Sequence, residues 1–278
     1  MIRIVTDTGS DITSQEGKSL GIEIVELDVK FDEFPYDYHN DLDFSVFYGN
    51  LTKTKSLPKT SQVNPAQYLE IFNDAKAKGD EVFVATLSGG LSGTHSSAMI
   101  ALEECAYDGI TVVDTRLVTI SQRMITELAI KLRDEGKNRA EIEKTIVEIS
   151  EKTGFSCCMD TLTYLKKGGR VPPAMAFIGN ALKIKPVVTM KDGKAEPVDK
   201  VRGLQAGIKA MWNLLEKDSF DNEYPVYFGH TSNEERGRAF MEETKKKYNM
   251  NDCRLYTVGG VIGTHAGPNA IAISYVKK

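Results

Sequence analysis

The stretch TLSGGLSGTHSSAM, residues 86–99, combines hydroxyl side chains with glycines between an apolar run and a helix-like run. Ser88, Ser92 and Thr94 supply hydroxyl groups, and the start of the following helix supplies unpaired backbone N–H groups. Such groups favour an anion, because the helix dipole is positive at that end. The same residue types also cap helices, so local features leave an anion site and a plain helix cap about equally open.

Three enzyme motifs are absent from this stretch. A Walker-type phosphate loop requires a lysine after its glycines, and none is present. A hydrolase nucleophile elbow requires Gly-x-Ser-x-Gly, but Thr86 stands two residues before Ser88, and Thr94 two residues after Ser92. The dinucleotide fingerprint Gly-x-Gly-x-x-Gly is also missing. What remains is a set of hydroxyl and N–H donors that favours an anion.

Three further stretches hold polar groups beside glycines or a helix start. Thr60 and Ser61 precede a predicted helix, where local capping is an equally good explanation. In LKKGGRV, Arg170 follows two glycines, which suits contact with a phosphate or an acidic partner but also a solvated basic turn. His265 lies in GTHAG, a second Gly-Thr-His sequence. A histidine of this kind is more often a structural hydrogen-bonding group than a catalyst.

Neither the carboxylates nor the cysteines predict a metal site. Asp7 and Asp11 follow the first predicted strand, but no third ligand is suggested, so a turn or a hydrogen-bond network is favoured. No cysteine pair forms Cys-x-x-Cys, and the cysteine and histidine spacing of zinc sites is missing. We expect no bound metal and reduced, buried thiols at all four cysteines: Cys105, Cys157, Cys158 and Cys253.

Strand and helix patterns alternate regularly along the first half of the chain. Short apolar strand patterns cover residues 2–7, 22–31, 81–88 and 110–115. Helical patterns cover residues 12–20, 64–79, 96–105, 119–135 and 139–152. This alternation predicts a mostly parallel sheet with helices on both faces, and it places the hydroxyl-rich stretch at a strand-to-helix turn, where ligands bind in open parallel sheets.

Antiparallel signals begin near residue 155. The segment IKPVVTMKDGKAEPVDKVRG predicts a β-hairpin that turns at Asp192-Gly193, and RLYTVGGVIGTHAGPNAIAISYV predicts a strand, a glycine-rich turn and a strand. We therefore predict an α/β protein of two domains. Residues 1–155 form a domain with the parallel sheet, and residues 156–278 form an α+β domain with a mixed sheet.

Composition narrows the classes of function. The chain has 278 residues, of which 41% are hydrophobic, and its formal net charge is −4. Because nucleic-acid-binding proteins are usually basic, nucleic acid is not expected as a partner. No run of eighteen apolar residues predicts a membrane span, and MIRIVTDTGSD lacks the apolar region of a signal peptide. We expect a cytoplasmic protein.

Seven motifs, in order along nearly the whole chain, resemble the DegV family of fatty-acid-binding proteins. They are IVTDTGSDI, KTSQVNP, GLSGTHSSA, VVDTR, LTYLKKGGRV, IKPVVTMKDGKAEPVDKVRG and GGVIGTHAGPNA. The resemblance implies a two-domain fold with a long-chain, palmitate-like fatty acid buried between the domains. It implies that Thr60 and Ser92 hold the carboxylate, with His265 beside them. Secondary candidates for this contact are Ser61, Gly93 and Thr94.

The resemblance also implies a role in phospholipid metabolism as the lipid-carrying subunit of bacterial fatty acid kinase. Arg170 would dock the ATP-binding kinase subunit or take part in phosphate transfer, and this chain would be neither catalytic alone nor dependent on a cofactor. Transient contact with a membrane surface would allow lipid exchange. Two alternatives are a stand-alone enzyme acting on a small anionic substrate at the same helix start, and a DNA-linked regulator, which the net charge disfavours.

Four positions depart from the pattern of the family. Gly89 replaces a common small polar residue, His95 an aromatic one, Val63 a proline and Asn269 a glycine. These departures leave the preferred acyl chain open, and the sequence assigns no role to His95.

Overall fold

The structure is a computed structural model that describes residues 1–33, 37–38, 44–171 and 184–278. In chain order, its strands are β1 (Ile2–Asp7), β2 (Glu23–Val25), β3 (Val29–Lys30), β4 (Asp37–Tyr38), β5 (Lys59–Thr60), β6 (Glu81–Thr86), β7 (Ile110–Asp114), β8 (Thr153–Cys158), β9 (Ile184–Lys191), β10 (Lys194–Arg202), β11 (Val226–His230), β12 (Cys253–Thr257) and β13 (Ile271–Val276). Its helices are α1 (Ser14–Leu20), α2 (Phe44–Lys53), α3 (Pro65–Lys78), α4 (Thr94–Cys105), α5 (Thr119–Asp134), α6 (Arg139–Lys152), α7 (Thr163–Lys167), α8 (Leu204–Asp218), α9 (Glu234–Tyr248) and α10 (Gly260–Ala266).

The first half of the chain forms a parallel sheet in the order β2-β1-β6-β7. Side chains along β6 alternate between its two faces. Val82 and Val84 pack in one core cluster with α3 and α4, whereas Phe83 and Ala85 pack in another with α5 and α6. Because helices bury both faces, the central residues of β6, Val82 to Ala85, are all apolar, as in other parallel sheets.

The second half forms a six-stranded mixed sheet in the order β10-β9-β8-β13-β11-β12. Its outer face packs on α8 and α9, for example through Phe228 and Phe240, whose ring centroids are 5.4 Å apart. Its inner face shares one core cluster with α5, α6 and the parallel sheet. The predicted α/β class, with a parallel and a mixed sheet, is confirmed. The limits 1–155 and 156–278 stay a prediction, and β8 crosses them.

The predicted hairpin is present as β9 and β10, which turn at Asp192 and Gly193. The sequence prediction was wrong at the GTHAG segment, which is the short helix α10 and not a loop. Thr264 in this helix is fully buried, and its hydroxyl donates to the Gly260 carbonyl over 2.7 Å. Helix α2 was not predicted at all. The segment LKKGGRV begins in the short helix α7, which is followed by Gly168, and residues 172–183 lie outside the described residues.

The predicted strand over residues 22–31 is divided into β2 and β3. The backbone N–H groups of Glu26 and Leu27 donate to the side chains of Gln67 and Thr8, over 3.1 and 3.0 Å. These side chains replace a neighbouring strand, so the ladder of β2 ends at Val25.

All four cysteines carry free thiols, as expected, but Cys253 is only half-buried. In the described part of the chain, no helix is both long enough and apolar enough to cross a membrane.

Candidate functional site

A cavity of about 430 Å³ lies between the inner face of the mixed sheet and the loops at the carboxyl end of the parallel sheet. This volume is within the range of about 300–1,000 Å³ that is usual for small-molecule sites. Most of the lining is apolar, and it comes from both halves of the chain: Leu27, Leu87, Leu91, Val118, Phe155, Cys157, Met159, Leu165, Val188, Met190, Ala195, Val258, Val261, Ile262, Ala266, Ala270, Ile271 and Ala272.

Polar residues from the candidate motifs line the same cavity. Ser61, Gln62 and Arg170 are exposed, whereas Thr60, Ser92 and His265 are half-buried, and Gly93 lies among them. The polar part of the lining therefore reaches the protein surface. The structure brings together the three predicted carboxylate-binding residues, the secondary candidates Ser61 and Gly93, and Arg170.

Two other hydroxyls of the lining are already engaged within the protein. Thr119 donates to the Asp11 carboxylate, and Thr231 accepts from the Ala270 N–H over 2.7 Å. The Thr119 hydroxyl proton is thus used within the protein, and the Thr231 oxygen is held by the backbone.

Thr60 and His265 lie in contact, although 205 positions separate them in the chain. Thr60 ends β5, which pairs antiparallel with β3, and its Oγ1 is 3.2 Å from Nε2 of His265 on α10. The start of α10 is anchored to α2, because the Tyr48 hydroxyl on α2 donates to the carbonyl of Val258, two residues before α10, over 2.7 Å. On the other side of the imidazole is Gly168, where a Cβ would overlap Nδ1.

The imidazole of His265 is neutral near pH 7. Burial, and to a smaller extent the positive charge of Arg170, lowers its pKa to about 4. Nδ1 is buried and has no partner among the described residues. Since an orphaned buried N–H is rarer than an orphaned acceptor, the proton belongs on Nε2. Nε2–H then donates to Thr60, which leaves the Thr60 hydroxyl proton for another acceptor.

Arg170 lies at the mouth of the cavity. Its Nη1 donates to the Gly168 carbonyl over 2.7 Å, and its Nε donates to the Leu91 carbonyl over 3.3 Å. The guanidinium therefore joins the end of α7 to the loop that carries Ser92, and it stays exposed to solvent. No carboxylate pairs with it among the described residues, so its charge is available to an anion or an acidic partner.

The tip of the β9–β10 hairpin is seated on the same hydroxyl-rich loop. The Ser88 hydroxyl is fully buried and donates to the Gly193 carbonyl over 2.6 Å. A Cβ at Gly90 would lie 2.5 Å from that carbonyl oxygen, so only glycine permits this approach. Ser88 thus holds the two halves of the chain together, a role that its sequence neighbourhood does not indicate.

The whole chain matches one family model. This model, described as "Uncharacterised protein, DegV family", covers residues 1–278. The chain belongs to the DegV family. A DegV domain-containing protein of Caldanaerobacter subterraneus is 32% identical over 278 residues, which cover 100% of this chain and 99% of that protein.

Solved structures of DegV proteins share the fold. DegV of Bacillus subtilis, described as a fatty acid binding protein, is 30% identical, with a TM-score of 0.84 over 100% of this chain and 99% of its own. A DegV family protein of Eubacterium eligens, loaded with heptadecanoic acid, is 27% identical, with a TM-score of 0.86 over 100% of both chains.

The departures of this DegV chain from the family pattern lie outside the cavity lining. Gly89 donates its N–H to Asp114 over 3.1 Å, and His95 lies 3.3 Å from the Thr86 hydroxyl through Nδ1. Asn269 adopts a φ of 62°, a left-handed conformation that asparagine tolerates better than most non-glycine residues.

Asp7 and Asp11 belong to a buried hydrogen-bond network, as the sequence indicated. Asp7 accepts from the Leu87 N–H over 2.7 Å, and Asp11 accepts from the Gly259 N–H over 2.8 Å. Burial raises the pKa of Asp7 to about 6 and that of Asp11 to about 7. Within the ranges that the structure describes, no group of three or more potential metal ligands occurs.

Sequence reasoning did not single out Gln62, although it lies in the quoted motif KTSQVNP. Its Nε2 donates to the Ser97 hydroxyl over 2.9 Å, so its amide lies across the start of α4. A Cβ at Gly93 would overlap this amide. This close approach explains why glycine stands directly after Ser92. The sequence signal for Gln62 was the presence of both motifs, KTSQVNP and GLSGTHSSA, in one chain.

Proposed function

We propose that this protein binds a long-chain fatty acid, with the acyl chain in the cavity and the carboxylate at its polar mouth. The observation that carries the proposal is one apolar cavity that ends at Thr60, Ser92 and His265 near the surface. The structures of the Bacillus subtilis and Eubacterium eligens DegV proteins support it, since their descriptions report fatty acid binding and bound heptadecanoic acid.

The apolar lining accounts for affinity. A chain of about fourteen methylenes, at ~0.8 kcal/mol each, gains roughly 11 kcal/mol when it leaves water. Loss of translational and conformational freedom offsets part of this gain. Tight binding therefore requires only a modest polar site at the mouth.

The polar mouth suits a carboxylate that must react further. A carboxylate only accepts hydrogen bonds, and Thr60 and Ser92 offer hydroxyl donors to it. The neutral imidazole of His265 adds no fixed positive charge. These neutral groups orient the carboxylate, and the Arg170 guanidinium at the mouth donates to the Leu91 and Gly168 carbonyls, which leaves the carboxylate oxygen free to react.

We further propose that the protein presents this carboxylate to an ATP-dependent fatty acid kinase subunit. One carboxylate oxygen attacks the γ-phosphorus of ATP, the bond from that phosphorus to the ADP oxygen breaks, and the products are an acyl phosphate and ADP. The chain lacks a Walker-type phosphate loop, so ATP must be supplied by the partner. Exposed Arg170 at the mouth would contact the partner or the transferred phosphate.

Extraction of bound lipid tests the fatty acid proposal. The purified protein is denatured, and the released lipid is identified and counted by mass spectrometry. We expect about one fatty acid per chain, and delipidated protein should take up a fatty acid again when it is supplied. A protein that comes out empty, takes up no fatty acid and binds a nucleotide instead would overturn the proposal in favour of a stand-alone enzyme.

A further inference from the structure

Among the described residues, the hydroxyl oxygen of Ser92 makes two hydrogen bonds, both with Thr94. Thr94 begins α4 and is 0% exposed, and it does not line the cavity. Its Oγ1 is 3.0 Å from the Ser92 Oγ, and its backbone N–H donates to the same Ser92 oxygen over 3.3 Å. The Thr94 Oγ1 also accepts from the backbone N–H of Val63 over 3.3 Å.

The direction of the bond between the two hydroxyls follows from which protons are buried. If Ser92 donated to Thr94, the Thr94 proton would have no acceptor among the described residues, in a site sealed from water. A buried donor without a partner is unfavourable by about 1–3 kcal/mol. If Thr94 donates to Ser92, the buried Thr94 proton is paired. The Ser92 oxygen then accepts two bonds, and its own proton is left for the cavity.

We infer that Thr94 is a positioning residue: it donates to the Ser92 oxygen and thereby directs the Ser92 proton towards a carboxylate at the mouth. The inference rests on the proposed binding of a fatty acid, and it moves Thr94 from direct contact with the ligand to action through Ser92. Thr94 stays fixed because the Gln62 amide, just before α3, donates to Ser97 on α4 and so ties the start of α4 to that segment.

This arrangement distinguishes ligands by their hydrogen-bonding groups. A carboxylate only accepts, so it needs the Ser92 proton to point at it. A fatty alcohol can donate or accept, and it pairs with Ser92 whichever way that proton points. Thr94 therefore contributes to the preference for the acid over the alcohol, and it contributes little to the binding of the acyl chain.

The test compares the affinities of delipidated protein for palmitic acid and for the alcohol of the same chain length. Thr94→Val removes the hydroxyl at nearly constant volume and is expected to weaken binding of the acid about tenfold, with less than about a twofold change for the alcohol. Thr94→Ser keeps the hydroxyl and should restore the affinity for the acid. In Ser92→Ala, the further change Thr94→Val should have little effect, because the two residues act as one unit.

Thr153→Val is the matched control, since the buried Thr153 hydroxyl donates to the Ile149 carbonyl away from the cavity. If Thr94→Val does not fold, Thr94→Ala takes its place with the same expected values. Equal loss of acid and alcohol, or no loss in a parent that prefers the acid, would overturn the role of Thr94 alone. A parent that binds neither lipid would overturn the proposed function.

Discussion

At the scale of single residues, the site depends on where a few protons point. His265 is neutral because it is buried, and its Nε2–H occupies the Thr60 oxygen. Thr94 occupies the Ser92 oxygen in the same way. The Thr60 and Ser92 hydroxyls are thus both left as donors, which is what an acceptor-only ligand requires. Neither proton direction follows from residue type, because threonine and serine can donate or accept.

Removal of either hydroxyl should weaken retention of the fatty acid. Ser92→Ala and Thr60→Ala are each expected to raise the dissociation constant roughly 10-fold or more, since a hydrogen bond to a charged group contributes about 1.5–3 kcal/mol. Binding is measured by titration of delipidated protein. Ser96→Ala is the control, because Ser96 is exposed on α4 and does not line the cavity. Affinities like that of the parent in both variants would show that the carboxylate lies elsewhere.

Arg170 should separate binding from reaction. Arg170→Ala is expected to retain fatty acid like the parent, because hydroxyl groups hold the carboxylate, and to lose most acyl phosphate formation with a kinase subunit. Hydroxylamine trapping of the acyl phosphate measures the rate. Lys167→Ala serves as the control, since Lys167 is exposed on α7 and does not line the cavity. Normal turnover of the Arg170 variant would remove this residue from the mechanism.

At the scale of elements, loops and short helices hold these residues in place. The hairpin tip and the end of α7 meet at the loop between β6 and α4, residues 87–93. Helix α2 holds α10 from behind through Tyr48. This helix was missed because FSVFYGNLTK is rich in aromatic and β-branched residues, which are mediocre helix formers, and contains Gly49. Tertiary burial of Phe47, Tyr48 and Leu51 stabilises it instead.

A methyl group at the hairpin contact should loosen the site. In Gly90→Ala, the new Cβ meets the Gly193 carbonyl oxygen at 2.5 Å, so one backbone segment must move. We expect a loss of about 1–3 kcal/mol in the free energy of unfolding, and faster release of fatty acid. Denaturant unfolding and stopped-flow release measure the two effects. Gly49→Ala on α2 meets nothing within 4 Å and should not destabilise the protein. Equal stability of both variants would show that the contact is unimportant.

At the scale of the whole molecule, Asp11 connects distant parts of the chain. It follows β1, accepts from Thr119 at the start of α5, and accepts from Gly259 before α10. The pKa of the Asp11 carboxyl is raised to about 7, mainly by burial and to a smaller extent by the charge of Glu16. The two hydrogen bonds and the charge of Arg123 oppose this rise. An aspartate in the unfolded chain has a pKa near ~4. Between these two pKa values, Asp11 therefore carries a proton in the folded protein that it releases on unfolding.

The pH dependence of stability should show this extra proton. Between about pH 4 and 7, the folded state binds more protons at Asp11 than the unfolded state does, so stability falls as the pH rises. Asp11→Asn should remove this fall and make the slope of unfolding free energy against pH more positive, by up to about 1.4 kcal/mol per pH unit. Denaturant unfolding of delipidated protein, at several pH values, measures the slope.

His265 supplies a comparison of opposite sign. Its folded pKa of about 4 lies below the ordinary value, so its contribution to stability is present above pH ~6.5 and is lost as the pH falls towards 4. His265→Gln should therefore make the slope more negative in this range. Equal slopes in the parent and both variants would contradict the effect of burial on the two groups.

Helix periodicity, caps and turn residues indicated most elements correctly, because these signals act over a few neighbouring residues. Asn64 and Gly79 delimit α3, and Asp192-Gly193 turns the hairpin, as the sequence predicted. The motifs also contain the residues that line the mouth of the cavity, among them Thr60, Ser92 and His265. Their resemblance to the DegV family could be recognised from short segments in order, without any distance between them.

Contacts between distant segments came only from the folded chain. Thr60 and His265 are 205 positions apart, and Ser88 and Gly193 are 105 apart. No local pattern encodes such distances, because they depend on how two sheets pack around one core. Burial then sets what the side chains can do: it makes His265 neutral, and it makes Thr94 a donor to Ser92 and not a ligand contact. The sequence gives the residue types, whereas proton positions and burial depend on the tertiary structure.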